Sequence, residues 1–293
     1  MQRIATLLAV CTPAAVAAQG SAAAQLWRLA GTTLAVPPAL TTGGASAIWN
    51  PAQRPPPGRA SICTEIIQTP SALGATGVLV VGRIRMRPLG ELGVLYGNME
   101  MSDLIRTGLS PMQDSGSIPY YSQFVAGHWT LTRGGTTLGA TVGLQDVRLD
   151  EVHAQHAGVD IGLAQLLPAA FRVAAAGHLF APFVAGDPNH SFSGGVERRM
   201  WRGNGSVSLT ARYGVSLGQG ASADHHVGLG LEAGQQFLAD LHLTREGGYG
   251  VPQWRATAGI RISIGNYGVS YARDAGISDI GSAYRVGLEA KTE

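Results

Sequence analysis

Three groupings of residues in this chain have types and spacing that could do chemistry. The first is Gly214-Val215-Ser216-Leu217-Gly218, which fits the G-x-S-x-G frame of a hydrolase nucleophile. That frame works only where a strand runs into the serine and a helix leaves it, so that the hydroxyl stands exposed on a sharp turn. Here GQGASAD follows, a polar loop with no apolar periodicity to start a helix, so Ser216 reads as part of a Gly-rich strand end. The second grouping is histidine: His153 and His156 behind Asp150-Glu151, and the adjacent His225-His226. Imidazoles three apart converge on a metal when they share a helix face. Both groups read instead as loop-to-strand junctions, so solvated histidines are expected, with no metal and no cofactor. The third is a set of polar residues set singly between apolar neighbours: Arg83, Arg85, Arg172, Glu197, Arg199, Arg212, Glu232, Asp240, His242, Arg255 and Arg261. No P-loop, dinucleotide fingerprint or acid/base carboxylate pair accompanies them, so an enzyme is not expected.

The elements that hold the third set are strands. In the run from Trp254 to Ile264, Trp254, Ala256, Ala258, Ile260, Ile262 and Ile264 alternate with Arg255, Thr257, Gly259, Arg261 and Ser263. A period of two over that length means one apolar and one polar face. The pattern recurs from SICTEIIQT through GVLVVGRIRMR, TTLGATVGLQDV and SVSLTARYGVS to SAYRVGLEA, giving about fourteen strands. The connections alternate in kind. PLG, RGG, LPAA, RGNG, GQQ and GN follow the even-numbered strands, while the others are longer, as over 102–118, 148–152, 181–190 and 274–281. Tight turns on one rim and long loops on the other are the habit of a transmembrane up-and-down barrel with both ends on the periplasmic side. The fold expected is therefore all-β, an antiparallel transmembrane β-barrel.

In such a barrel the polar set points inward. Arg212 is expected to face the Glu232 strand and Asp240 the Arg255 strand, in cross-strand pairs of about 0.2–1 kcal/mol each. The set then fills and neutralises a narrow lumen; the rival reading is a polar path whose positive wall favours anions. Gly139, Gly143, Gly158 and Gly162 are expected to leave room inside the barrel or at a crowded bend. Trp129, Trp201, Trp254, Tyr213, Tyr249 and Tyr267 fall near strand ends, where interfacial girdles would lie.

Composition and address agree with this. Lys+Arg 21 against Asp+Glu 19 leaves a net charge of +2, too balanced for a nucleic-acid partner. Only 14% of residues are charged and 41 are Gly, as suits strands that meet lipid on one side. Arg3, an apolar run from Ile4 to Ala17 and the small residues AAVAAQ predict a cleaved secretory leader over residues 1–18, and a bacterial outer-membrane location. The mature chain then keeps a single cysteine, Cys63, and hence no internal disulfide. The most apolar later stretch, 161–184, carries Pro168, Arg172, His178 and Pro182 and is not a spanning helix. Residues 22–59 alternate poorly and are rich in Ala, Pro and Gly, so residues 19–58 are read as a non-barrel segment tucked into the lumen, with the barrel over 59–293.

Two stretches carry a family resemblance. Gly43 to Ala52, GGASAIWNPA, resembles the N-terminal Gly-x-Ala … Asn-Pro-Ala signature of FadL-like outer-membrane proteins. GLEAGQQFLADLHLTREGGYG, continued by RATAGIRISIGNYGVSYARDAGISDIGSAYRVGL, resembles the C-terminal half of the PorV/PorQ-like branch. The resemblance implies two kinds of function. A FadL-like barrel passes a hydrophobic small molecule, with Asn50, Pro51 and Ala52 in a hatch that plugs the lumen. A PorV-like barrel instead serves as a scaffold or shuttle for secreted surface proteins, with the 102–118 loop as the docking surface. Membrane lipid, a hydrophobic ligand and a secretion partner are thus the expected partners.

Overall fold

The computed structural model describes residues 22–53, 58–70, 73–102, 104–105, 117–180, 190–203, 206–218, 222–234, 236–247, 253–276 and 281–292. The leader expected over residues 1–18, Tyr249 and most of the 102–118 connection lie outside them. The strands are β1 (Ala60–Gln68), β2 (Ala75–Met86), β3 (Gly90–Met101), β4 (Tyr120–Arg133) and β5 (Thr136–Leu149). Next come β6 (Val152–Leu167), β7 (Phe171–Phe180), β8 (His190–Arg202), β9 (Val207–Gly218) and β10 (Asp224–Ala233). The last four are β11 (Phe237–Glu246), β12 (Gln253–Ile264), β13 (Tyr267–Asp274) and β14 (Tyr284–Thr292). Ahead of them stand a helix α1 (Ala22–Gly31), a single 3-10 turn (Pro38–Leu40) and a short helix α2 (Ser46–Trp49).

Each strand pairs antiparallel with its neighbour in sequence, and β1 pairs with β14 to close a barrel of fourteen strands. The closing seam runs from Ala60↔Thr292 to Gln68↔Tyr284 without a shift. Register slips once, at a bulge between Arg199 and Trp201 on β8. Tight turns follow β2, β4, β6 and β12 as expected, and Gly134 and Gly265 take the left-handed φ of 61° and 56° that such turns require. The longer connection expected over 148–152 is instead a two-residue turn, Asp150–Glu151, because β5 and β6 extend to Leu149 and Val152. Ala60 lies opposite both Thr292 and Ile84, so the chain enters and leaves the barrel at this tight-turn rim.

Alternation sends the apolar set outward. On β5, Leu138, Val142 and Leu144 face out, with Val142 and Leu144 61% and 69% exposed. Ile161 and Leu163 on β6, Leu229 and Leu231 on β10, Ile260 and Ile262 on β12 and Val269 on β13 continue the band. A soluble protein does not carry an unbroken apolar belt of this extent; a bilayer-spanning barrel requires one. Trp129, Trp201, Trp254, Tyr213 and Tyr267 also point out, and the Trp129 indole donates to the Leu89 carbonyl at 2.9 Å.

The histidine segments differ from the sequence reading. His153 and His156 stand within β6 rather than in a loop, and His225 and His226 within β10. Residues three apart, or adjacent, on a strand face opposite sides. His153 therefore points out to Asp146 at 2.6 Å while His156 is buried inside. His225 meets the Tyr213 hydroxyl outside, and His226 meets Ser216 at 2.9 Å inside. Neither pair converges on one point. Ser216 itself lies two residues from the end of β9, the strand end expected, and the next described element is the strand β10.

The outward face predicts the cost of misplacing a charge. Val142→Arg, near the middle of β5, lowers stability by about 2–4 kcal/mol, read as a shift in the urea midpoint of refolding into vesicles.

Candidate functional site

The candidate site is the lumen and the segment that fills it. Residues 22–53 form α1, the 3-10 turn and α2, and their backbone meets side chains from all round the wall. Ala- and Leu-rich composition favours α1. At its end the Thr32 and Thr33 hydroxyls donate back to the Leu29 and Ala30 carbonyls at 2.8 and 2.9 Å, satisfying acceptors that the last turn leaves open. Leu26 and Ala30 pack on Ile67, Leu79 and Met99 of β1, β2 and β3. Ala45 and Ala47 pack on Cys63, Val81, Leu95 and Ala126 of β1 to β4. Leu40 and Ala52 meet Ala164 and Ala174 of β6 and β7.

Asn50, Pro51 and Ala52 lie at the heart of this packing. Asn50 donates to the Ala39 carbonyl at 2.9 Å and accepts from the Ala52 N–H at 2.9 Å, a local Asx turn with no exposed surface. The Pro51 carbonyl accepts the Thr130 hydroxyl at 3.1 Å. Two strand glycines make this approach possible. A Cβ on Gly139 would overlap the Pro51 carbonyl, and one on Gly162 would sit 2.6 Å from the Ala52 nitrogen.

Wall side chains hold the segment by its carbonyls. Arg83 on β2 donates to Gly44 O. Arg172 on β7 donates to Leu40 O at 2.7 Å, and His178, also on β7, lies 3.2 Å from Trp49 O. His242 on β11 meets Leu34 O at 2.8 Å. On β12, Thr257 donates to Thr32 O at 3.1 Å and Arg261 to Thr42 O at 2.6 Å. Arg285 on β14 donates to Ala30 O at 2.6 Å and to the Thr33 hydroxyl at 3.0 Å. These donors replace the water that a coil segment would otherwise need for its backbone.

The charged residues pair among themselves, but not as the sequence suggested. Arg212 faces the Glu232 strand, as expected, but its register partner there is Gly228 rather than Glu232. Its guanidinium reaches Glu197 at 3.0 Å on one side and, over the bare backbone of Gly230, Asp240 on the other. A Cβ on Gly230 would lie 2.5 and 2.6 Å from the terminal nitrogens of Arg212, so the missing side chain is the corridor for this pair. Glu197 also takes Arg172 at 3.0 Å, completing a run from β7 to β11. Arg255 turns away from Asp240 to Glu246 at 3.1 Å and Asp274 at 2.8 Å. Arg83 pairs with Glu91 at 3.5 Å, and Arg85 stands half-buried opposite that same residue. Arg199 and Glu232 are exposed toward the tight-turn rim, where Glu232 accepts the Ser208 hydroxyl at 3.2 Å.

Sequence reading passed over Arg285, which bonds Glu65 at 2.7 Å as well as Ala30 and Thr33. Its signal was available, since Tyr284, Val286 and Leu288 alternate around it in the last strand. His226, expected as a solvated junction residue, is instead buried on the inner face, where its ring stacks on His242 with centroids 5.2 Å apart. Among the described residues no group of three or more His, Cys, Asp or Glu is placed to hold a metal. A pocket of about 80 Å³ with polar and apolar lining remains between residues 33–42 and strands β11 to β14, bordered also by Glu65 of β1, with Arg261, Asp240 and Ser270 in its wall.

A closed barrel with an apolar outer belt and a filled, charge-paired lumen has the fold of an outer-membrane β-barrel. Among solved structures the chain is similar to the toluene transporter TbuX of Ralstonia pickettii. The TM-score is 0.54 at 14% identity, over 86% of this chain and 96% of that one. It is also similar to the outer-membrane protein Omp33 of Acinetobacter baumannii, with TM-score 0.50 at 6% identity over 80% and 98% of the two chains. At these identities the likeness is one of fold. No family model and no curated protein matches the sequence, so neither the FadL-like nor the PorV/PorQ-like resemblance is supported at sequence level. The loop on which a PorV-like docking role would rest lies mostly outside the described residues.

The Arg212 bridge makes a direct prediction. Arg212→Ala leaves Asp240 without its partner in the lumen and lowers stability by about 3 kcal/mol, read by urea denaturation. Glu197 keeps Arg172 in that variant, so Arg172→Ala added to it costs more than Arg172→Ala alone.

Proposed function

We propose that this protein resides in the bacterial outer membrane and passes or binds a hydrophobic small molecule through a plugged barrel. The observation that carries the reading is the filled lumen. A pore for polar solutes needs an open aqueous channel, whereas residues 22–53 occupy this one and bond to β2, β4, β7, β11, β12 and β14. A plugged barrel admits a solute that binds and moves the plug while it blocks the leak of ions. The likeness in fold to a transporter of toluene supports the same solute class. Asn50, Pro51 and Ala52 are the hatch in this reading, and the leader over residues 1–18 brings the chain to the membrane.

Two measurements test it. Deleting residues 22–59 produces stepwise ion conductance in planar bilayers where the full chain gives none; a deletion variant as silent as the full chain would sink the plug. Protein purified from outer membrane in mild detergent carries a stoichiometric apolar small molecule, seen by mass spectrometry after denaturation. A protein partner in place of such a molecule would turn the reading toward a secretion scaffold.

A further inference from the structure

The plug is not held alike on all sides. Toward β1 to β4 it is packed: Leu26, Ala30, Ala45 and Ala47 interlock with Ile67, Leu79, Val81 and Leu95 in two fully buried apolar clusters. Toward β11 to β14 no buried apolar cluster forms among the described residues: His242 meets Leu34 O, Thr257 Thr32 O, Arg261 Thr42 O and Arg285 Ala30 O, beside a close approach of Ala35 to Gly259 and the Arg285 guanidinium over the Trp49 ring at 5.3 Å. A pocket of about 80 Å³ lies on this second side, where Thr33, Thr42, Asp240, Ser270 and Arg285 contribute to a wall of mixed polar and apolar surface that Glu65 of β1 borders. That volume accepts several water molecules among groups able to bind them.

The two kinds of contact respond differently to separation. Opening an apolar cluster exposes surface that water cannot compensate. A carbonyl released by an arginine or threonine is taken up by water, and the net loss per bond is small. We propose that the plug stays anchored on β1 to β4 and parts from the wall along β11 to β14, so that the solute path runs between residues 32–42 and these four strands. Arg261 and Thr257 then set how readily the path opens. The inference rests on the plug reading above and adds the side on which the plug yields.

Planar-bilayer recordings of the full chain test it. Arg261→Ala with Thr257→Val removes two wall-to-plug bonds and leaves the Arg285–Glu65 pair intact. Openings appear in this variant where the unsubstituted chain shows none, because two net hydrogen bonds are worth roughly a tenfold or larger shift in the open fraction. Leu79→Ala, on the anchored side, lowers the unfolding midpoint without raising the open fraction; an equal rise in that variant would overturn the proposal. A bulky cationic methanethiosulfonate then blocks the current when Ser270→Cys is added to the double variant. Without that addition the current persists, because Cys63 is sealed in the anchor; block through Cys63 alone would place the path on the wrong side. Heat-modifiable migration checks folding, and Thr257→Val alone replaces the double variant if that one fails to fold. A silent seam variant beside a conducting 22–59 deletion overturns this inference and leaves the plug standing, whereas a silent deletion removes both.

Discussion

Inside a bilayer there is no water to satisfy a peptide group, and that single lack governs this structure. Every N–H and C=O of a lipid-facing strand must find its partner on another strand, so the sheet has to close on itself. Closure between Ala60–Gln68 and Tyr284–Thr292 leaves no edge in the hydrocarbon layer. The same demand continues inside the barrel. Residues 22–53 are largely non-strand backbone at membrane depth, and their carbonyls are met by arginine, histidine and threonine side chains reaching in from the wall. A filled lumen is tolerable only because the wall supplies donors where water is scarce.

The inward arginines consequently do two things at once. Arg83 and Arg285 each hold a plug carbonyl while facing a carboxylate from a neighbouring strand. The carboxylate keeps the guanidinium compensated, and the fixed guanidinium fixes the plug. Glycine governs where such contacts can form. Gly139 and Gly162 admit the backbone around Pro51, and Gly230 clears the way from Arg212 to Asp240. Small residues on the inner face are thus the complement of the segment that lies against them.

The barrel was legible because its signal is repeated in every strand. Fourteen runs of period two with turns of alternating length fix strand number, sidedness and which residues point inward, and Arg212, Asp240 and Arg261 lie on the inner face as the alternation requires. Partners were not legible. Setting Arg212 against the Glu232 strand left open the register and stagger that put Gly228 opposite it and Asp240 within reach beyond. Treating His153–His156 and His225–His226 as loop junctions set the strand starts too late, since polar residues at a strand end do not show which strands extend beyond the apolar belt. Beyond the helix-favouring run of α1, the segment over 32–53 has no periodicity of its own on which a conformation could be read. Its shape is set by the cavity it occupies, as the fit of Ala35 against Gly259 and of Pro37 against Gly214 shows.

Arg285 ties the first described helix to the last strand, across 255 residues of chain. The contact cannot exist until β14 has been made, and β14 is also the strand that closes the barrel against β1. Locking of the interior segment and completion of the wall are therefore the same step of assembly. Contacts of such sequence separation are reached late and carry a large loop-closure cost. An unfinished sheet thus holds the segment only by its apolar side, on the strands made first, and the polar side is fastened as the circle shuts.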